Sequence, residues 1–142
     1  MDTRVRAWAS LAMLLVGGGA AAGCTSTAAD DVFAEEQVSS DALPRVDSVV
    51  LESLDPTSSR LLGEAEGTRY RAVRNFDGEF CVLGQVVDGD PADMVTGCGP
   101  GDGDTLSVSL GTGPKATWSS VAGPSVPEGG TLLRGHLVVT PR

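Results

Sequence analysis

The sequence predicts a mainly β fold: a small antiparallel sheet or sandwich of about five to seven short strands, with one or two short N-terminal helical turns. Three observations carry that prediction. From Leu61 onward, apolar and polar residues alternate in runs of about five to nine residues, the period of a half-buried strand. The runs are bounded by Glu66-Gly67, Asp77-Gly78, Asp88-Gly89-Asp90-Pro91 and the glycine-rich stretches 99–103, 111–113 and 123–130, all turn chemistry. Helical patterning is confined to brief segments before Leu61.

The first element is a targeting segment. Arg4 and Arg6 supply a positive n-region, Ala7 to Val16 an apolar h-region, and Gly17 to Gly23 a small-residue c-region. Ala7 to Gly23 is seventeen residues with three consecutive glycines. That is at the lower limit for crossing roughly 30 Å of hydrocarbon, so the segment reads as a removed signal peptide, residues 1–23. Its last residues and the one that follows, Ala21-Ala22-Gly23-Cys24, resemble the lipobox of bacterial lipoproteins. The resemblance implies acylation of the Cys24 thiol by diacylglycerol and palmitate-type chains, cleavage before Cys24, and attachment to the extracytoplasmic face of the cell membrane. A free Cys24 would instead be a reactive thiol at an exposed terminus.

Without residues 1–23, 119 residues remain, enough for one small extracytoplasmic domain over residues 31–142. They carry eight Lys and Arg against eighteen Asp and Glu. A surface so acidic repels nucleic acid and anionic headgroups, which excludes nucleic acid as a partner and leaves attachment to acyl chains. The chain has no Ile, one Lys against nine Arg, and one Asn, a codon bias of GC-rich bacterial genomes.

Along the body, residues 24–30 comprise the lipidated N-terminus and a small, polar, aperiodic stretch that reads as a flexible tether. Asp31 to Gln37 reads as a two-turn helix capped by Asp30 or Asp31, with Val32, Phe33 and Val38 on one side, ended by Leu43-Pro44. Asp55-Pro56-Thr57-Ser58-Ser59 reads as a second helical turn, Asp as cap and Pro at the first helical position. Leu61 to Ala65, Thr68 to Arg74 and Glu79 to Val87 then read as strands of consecutive hairpins. With Asp77-Gly78 as a two-residue turn, Ala72 lies opposite Leu83, and Tyr70, Ala72, Cys81 and Leu83 share one core face. Met94 to Cys98, Thr105 to Leu110, Ala116 to Val121 and Leu132 to Thr140 complete the set.

With Cys24 carrying lipid, Cys81 and Cys98 are an even pair in an exported chain, so a disulfide is expected. Closing a loop of about eighteen residues stabilises by roughly 3 kcal/mol in the chain-entropy picture.

The succession Phe33, Gln37, Asp41, Leu43-Pro44, Ser59-Arg60-Leu61-Leu62-Gly63-Glu64, Gly67, Tyr70, Cys81-Val82-Leu83 and Gly97-Cys98 resembles small uncharacterised extracytoplasmic proteins of actinobacteria. That resemblance implies a single anchored domain with a two-cysteine body and supplies no activity.

Catalytic and metal chemistry find few residues. The single histidine, His136, falls in an alternating strand on the face of Arg134, and Ser119 and Ser120 lack a nucleophile elbow. One histidine and two bridged cysteines cannot build a zinc site of soft ligands. Asp88, Asp90 and Asp93, with Asp102 and Asp104, offer closely spaced carboxylates for calcium but complete no recognised loop, since Asp93 stands where the turn glycine belongs. These acids read as solubilising hairpin tips. Arg69 and Arg71 share a strand face and Arg74 lies on the other, so pairing with Glu64, Glu66 and Glu79 is expected rather than a single anion patch.

The expectation is a lipid-anchored, non-catalytic interaction or structural module of the cell envelope, with a membrane protein as partner and no cofactor. The alternative is a small-ligand or calcium-binding module, which requires the loops at 88–93 and 99–104 to converge.

Overall fold

A computed structural model of the chain describes residues 27–103 and 105–142. Cys24, the signal segment and Asp104 lie outside the described residues. The protein is mainly β, with eight strands in two antiparallel sheets of four. β1 (Leu54–Ala65), β2 (Thr68–Asn75), β3 (Phe80–Val86) and β4 (Met94–Gly99) form a simple meander, while β5 (Thr105–Ser109), β6 (Lys115–Ser119), β7 (Thr131–Leu133) and β8 (Leu137–Thr140) are ordered β5-β6-β8-β7.

The chain enters through helix α1, Ala28–Ala34. Thr27 is its cap: the hydroxyl accepts from Asp30 N at 3.2 Å, and the Asp30 carboxylate accepts from Thr27 N at 3.3 Å. This reciprocal capping box moves the helix three residues ahead of the expected Asp31 start. Ala28 and Ala29 are buried, so the last residues of the expected tether belong to the folded body. Gly101 explains the fit. A Cβ there would meet the Ala29 Cβ at 2.8 Å, so only glycine lets the β4–β5 loop pass beneath the helix. Val38, expected on the helix's apolar side, is exposed beyond its end.

The hydrogen bonds of the cap hold the Asp30 carboxyl below its ordinary value of 3.8, the Thr27 hydroxyl contributing most and Arg74 adding to it. A carboxyl depressed on folding stabilises the fold above its unfolded pKa, and that contribution disappears as pH falls through the folded value. Thr27→Ala is therefore expected to cost about 1 kcal/mol at neutral pH. Thermal melts should show the gap between variant and wild type narrowing below pH 3.8; a gap independent of pH would show that Asp30 takes no part.

Asp55–Ser59 is not the expected helical turn. It lies within β1, an edge strand, where the pairing with β2 slips between Asp55 and Arg60. Asp55 Oδ1 accepts from Thr57 N at 2.9 Å and from the Thr57 hydroxyl at 2.7 Å, which builds a turn inside a bulge and leaves Pro56 at an edge that tolerates it. A short helix that the sequence reading missed, α2 (Val49–Glu52), precedes the strand and is capped by Ser48.

The β2–β3 hairpin overturns the expected register. Gly78 adopts φ +84, and Asn75 N bonds Glu79 O at 3.1 Å, so residues 76–78 form a three-residue loop. Ala72 consequently pairs with Val82, and Leu83 faces Arg71. A one-residue slip exchanges faces. Tyr70 and Ala72 thus share the inner core with Phe80 and Val82, while Cys81 and Leu83 lie on the outer face with Val73.

The inner core also takes Leu62, Val108, Ala116, Trp118, Leu137 and Val139, so the two sheets pack face to face as a sandwich. Trp118 sits at its centre, 4.7 Å from the Phe80 ring and 5.1 Å from the His136 ring. The outer face of the first sheet is covered in turn. Leu43, Val46, Val50 and Leu51 pack on Leu54, Val73, Cys81, Leu83 and Met94.

The expected final strand, Leu132–Thr140, is two strands. Arg134 (φ 50) and Gly135 (φ 72) form a tight turn closed by His136 N to Leu133 O at 3.2 Å, and β7 folds back on β8. That split makes eight strands among the described residues, one more than the seven runs read from the sequence, within the expected mainly β sandwich.

Candidate functional site

The segment from Glu35 to Ala42 is sewn to β1 by polar side chains, of which Asp41, Ser59 and Arg60 are buried. The Arg60 guanidinium donates to Glu35 O at 2.8 Å and to Ser59 O at 2.8 Å, so a cation meets the carbonyls just past the end of α1. Gln37 Nε2 donates to Pro56 O at 2.9 Å. Asp41, 3 % exposed, accepts from Leu61 N at 2.7 Å and from Val38 N at 2.8 Å. Its own carbonyl accepts from the Ser59 hydroxyl at 2.6 Å. These bonds satisfy backbone groups that the irregular segment would otherwise bury unpaired.

Pinning this segment leaves two recesses beside it. A groove of about 690 Å3 of mixed character runs between Leu43, Val46, Leu51 and Leu54 on one hand and Gln37, Arg45 and Asp47 on the other. A second cleft of about 410 Å3 lies between the Ser39–Asp41 turn and the β1–β2 hairpin, lined by Ser39, Ser40, Gly63, Glu64, Arg69 and Arg71 among others.

The three arginines of β2 have different fates. Arg69 pairs with Glu64 at 3.1 Å, as expected. Arg74, on the opposite face, bonds Asp30 at 2.9 Å and stands 4.5 Å over the Phe33 ring, a partner the sequence reading did not nominate. Arg71 pairs with none of the expected acids. It is buried, its Nη1 donates to Gln85 Oε1 at 3.4 Å, and among the described residues its Nε has no acceptor. Burial, and then the like charge of Arg69, push its pKa down; the Asp41 carboxylate opposes them. Glu79 is engaged locally by Asn75 Nδ2 at 2.7 Å.

His136 occupies a different place. It stacks on Trp118, and its Nδ1 lies 2.9 Å from Ser119 O, which as a carbonyl accepts, so Nδ1 carries the proton. It is half-buried, not solvated on a strand face, and lines a recess of about 150 Å3 with Asp31, Glu35 and Arg134. The Ser119 hydroxyl accepts from Val121 N at 3.2 Å and makes no bond to the imidazole.

The acidic loops do not meet. Asp88, Asp90 and Asp93 precede β4 and Asp102 follows it, so the length of a six-residue strand, roughly 17 Å, separates them. Asp90 is consumed by its own turn, accepting from Ala92 N at 2.9 Å. Among the described residues no group of three or more His, Cys, Asp or Glu side chains is placed to hold a metal ion.

The disulfide joins Cys81 to Cys98, directly opposed on β3 and β4. Cys81 is buried under the 42–52 segment and Cys98 is exposed. Among the described residues no helix is long and apolar enough to cross a membrane. No protein-family model, curated protein or solved structure matches this chain.

Proposed function

We propose that this protein is a lipid-anchored module of the extracytoplasmic face of the cell membrane, and that it acts by interaction or structural support, without catalysis, on another envelope protein. The observation that carries the reading is Ala21-Ala22-Gly23-Cys24 standing immediately before the Thr27 cap of a folded body. A Cys81–Cys98 disulfide supports an oxidising compartment. The acidity of the body supports attachment through acyl chains, because anionic headgroups repel it.

Mass spectrometry of the mature N-terminus should find Cys24 first in the chain and carrying two or three acyl chains. Cys24→Ser should move the protein out of the membrane fraction. An unacylated wild-type terminus, with the variant still in the membrane fraction, would overturn the anchoring.

A further inference from the structure

We propose that the cleft between the Ser39–Asp41 turn and the β1–β2 hairpin binds a small ligand through a carboxylate group, with the Arg71 guanidinium as the receiving cation. Arg71 is 5 % exposed, yet among the described residues no carboxylate forms an ion pair with it. A guanidinium offers five donors in a planar fork. Here one of them meets Gln85 Oε1 at the long distance of 3.4 Å, and Nε meets nothing. A buried charge left in this condition destabilises the fold unless an acceptor reaches it. The cleft is where such an acceptor can enter, since it borders Arg71 and holds about 410 Å3, the size of a small-molecule site.

Two structural explanations of Arg71 fall short. The Asp41 carboxylate acts on it through space, but its oxygens are held toward Val38 N and Leu61 N and form no ion pair with the guanidinium. Packing of the aliphatic stem alone would be served by a Leu or Met without burying a charge. The rim supplies the rest of a site. Ser39 and Ser40 are exposed on one side, and Arg69 stands on the other with Glu64 bound to it.

The charges select the ligand. Glu64 at the rim and the excess of acids over the whole body oppose a polyanion, so a single carboxylate fits better than a phosphate group. A planar carboxylate can accept two parallel hydrogen bonds from the guanidinium fork. The site is independent of acylation at Cys24.

The test is an NMR titration of the protein, following backbone amides and the arginine Nε–Hε signals, with N-acetylalanine, its amide, and inorganic phosphate as probes. N-acetylalanine should shift the Arg71 Nε–Hε signal and the Ser39 and Ser40 amides saturably, with a Kd of about 1 mM. The amide should not. Arg71→Met should remain folded, melt no lower than wild type, and show no saturable shift. Should Arg71→Met fail to fold, Arg71→Lys keeps the charge without the fork, and binding at least about tenfold weaker is the supporting result. The proposal is overturned by the absence of saturation at roughly 50 mM N-acetylalanine, by equal binding of the amide, or by undiminished binding in the variant. Tighter binding of phosphate than of N-acetylalanine would overturn the carboxylate assignment.

Discussion

Cys81→Ala with Cys98→Ala is expected to lower the melting temperature by roughly 10–15 °C, a loss of about 3 kcal/mol. The bond closes a loop with a sequence separation of 17, and its removal restores that loop's freedom to the unfolded chain. Alanine is the right replacement because Cys81 is fully buried beside Leu54, Val73, Leu83 and Met94, where a serine hydroxyl would find itself without a partner. Both residues are opposed in the β3–β4 ladder, so the variant should keep the native strand pairing. Thermal denaturation of wild type under reducing conditions should reproduce the shift. A change of less than about 3 °C in both experiments would mean that the hairpin is already closed in the unfolded ensemble.

Trp118→Ala should cost more, about 3–5 kcal/mol. The ring is 1 % exposed, lies between the two sheets, and contacts both Phe80 and His136, so truncation opens a cavity where the sandwich has its largest side chain. Domains of this size have about 5–15 kcal/mol of total stability, and the variant will be largely unfolded if the protein lies near the lower end. Trp118→Phe separates packing from polarity. The indole Nε1 is buried without an acceptor, so Phe loses some volume but also removes an unpaired donor. Chemical denaturation should place Phe within about 1.5 kcal/mol of wild type. A Phe variant as damaged as the Ala variant would show that Nε1 has a partner after all.

Much of the architecture was legible because strands advertise themselves by alternation and turn chemistry, and β2 to β6 begin and end within a few residues of their expected bounds. The departures are at points where one residue decides. Asp77-Gly78 looks like a two-residue turn, but Phe76 joins the loop, and that single residue reassigned Cys81 and Leu83 to the other face. Arg134 at positive φ hid the β7–β8 turn, because a long side chain gives no sign of a left-handed backbone. Thr27 and Asp30 spelled a capping box within a stretch whose small residues suggested no structure.

The candidate site was hidden by the same reasoning. Strand alternation puts Arg69 and Arg71 on one face, within reach of acids on neighbouring strands, and says nothing of what covers that face. Here segment 38–52 covers the outer face of the first sheet, and its elements, the Ser39–Asp41 turn and the four-residue α2, are too short to show a periodicity. Arg71 is buried because of chain far from it in sequence.

The Thr27 cap has a consequence for how the protein meets others. Two residues lie between Cys24 and Thr27, a span of at most about 11 Å, so the acylation proposed for Cys24 would hold the sandwich on a short leash. A body so held samples a thin layer and explores it by lateral diffusion. Its encounters are then confined to molecules sharing that membrane or reaching down to it, and the effective concentration of such neighbours is set by surface density, not by volume.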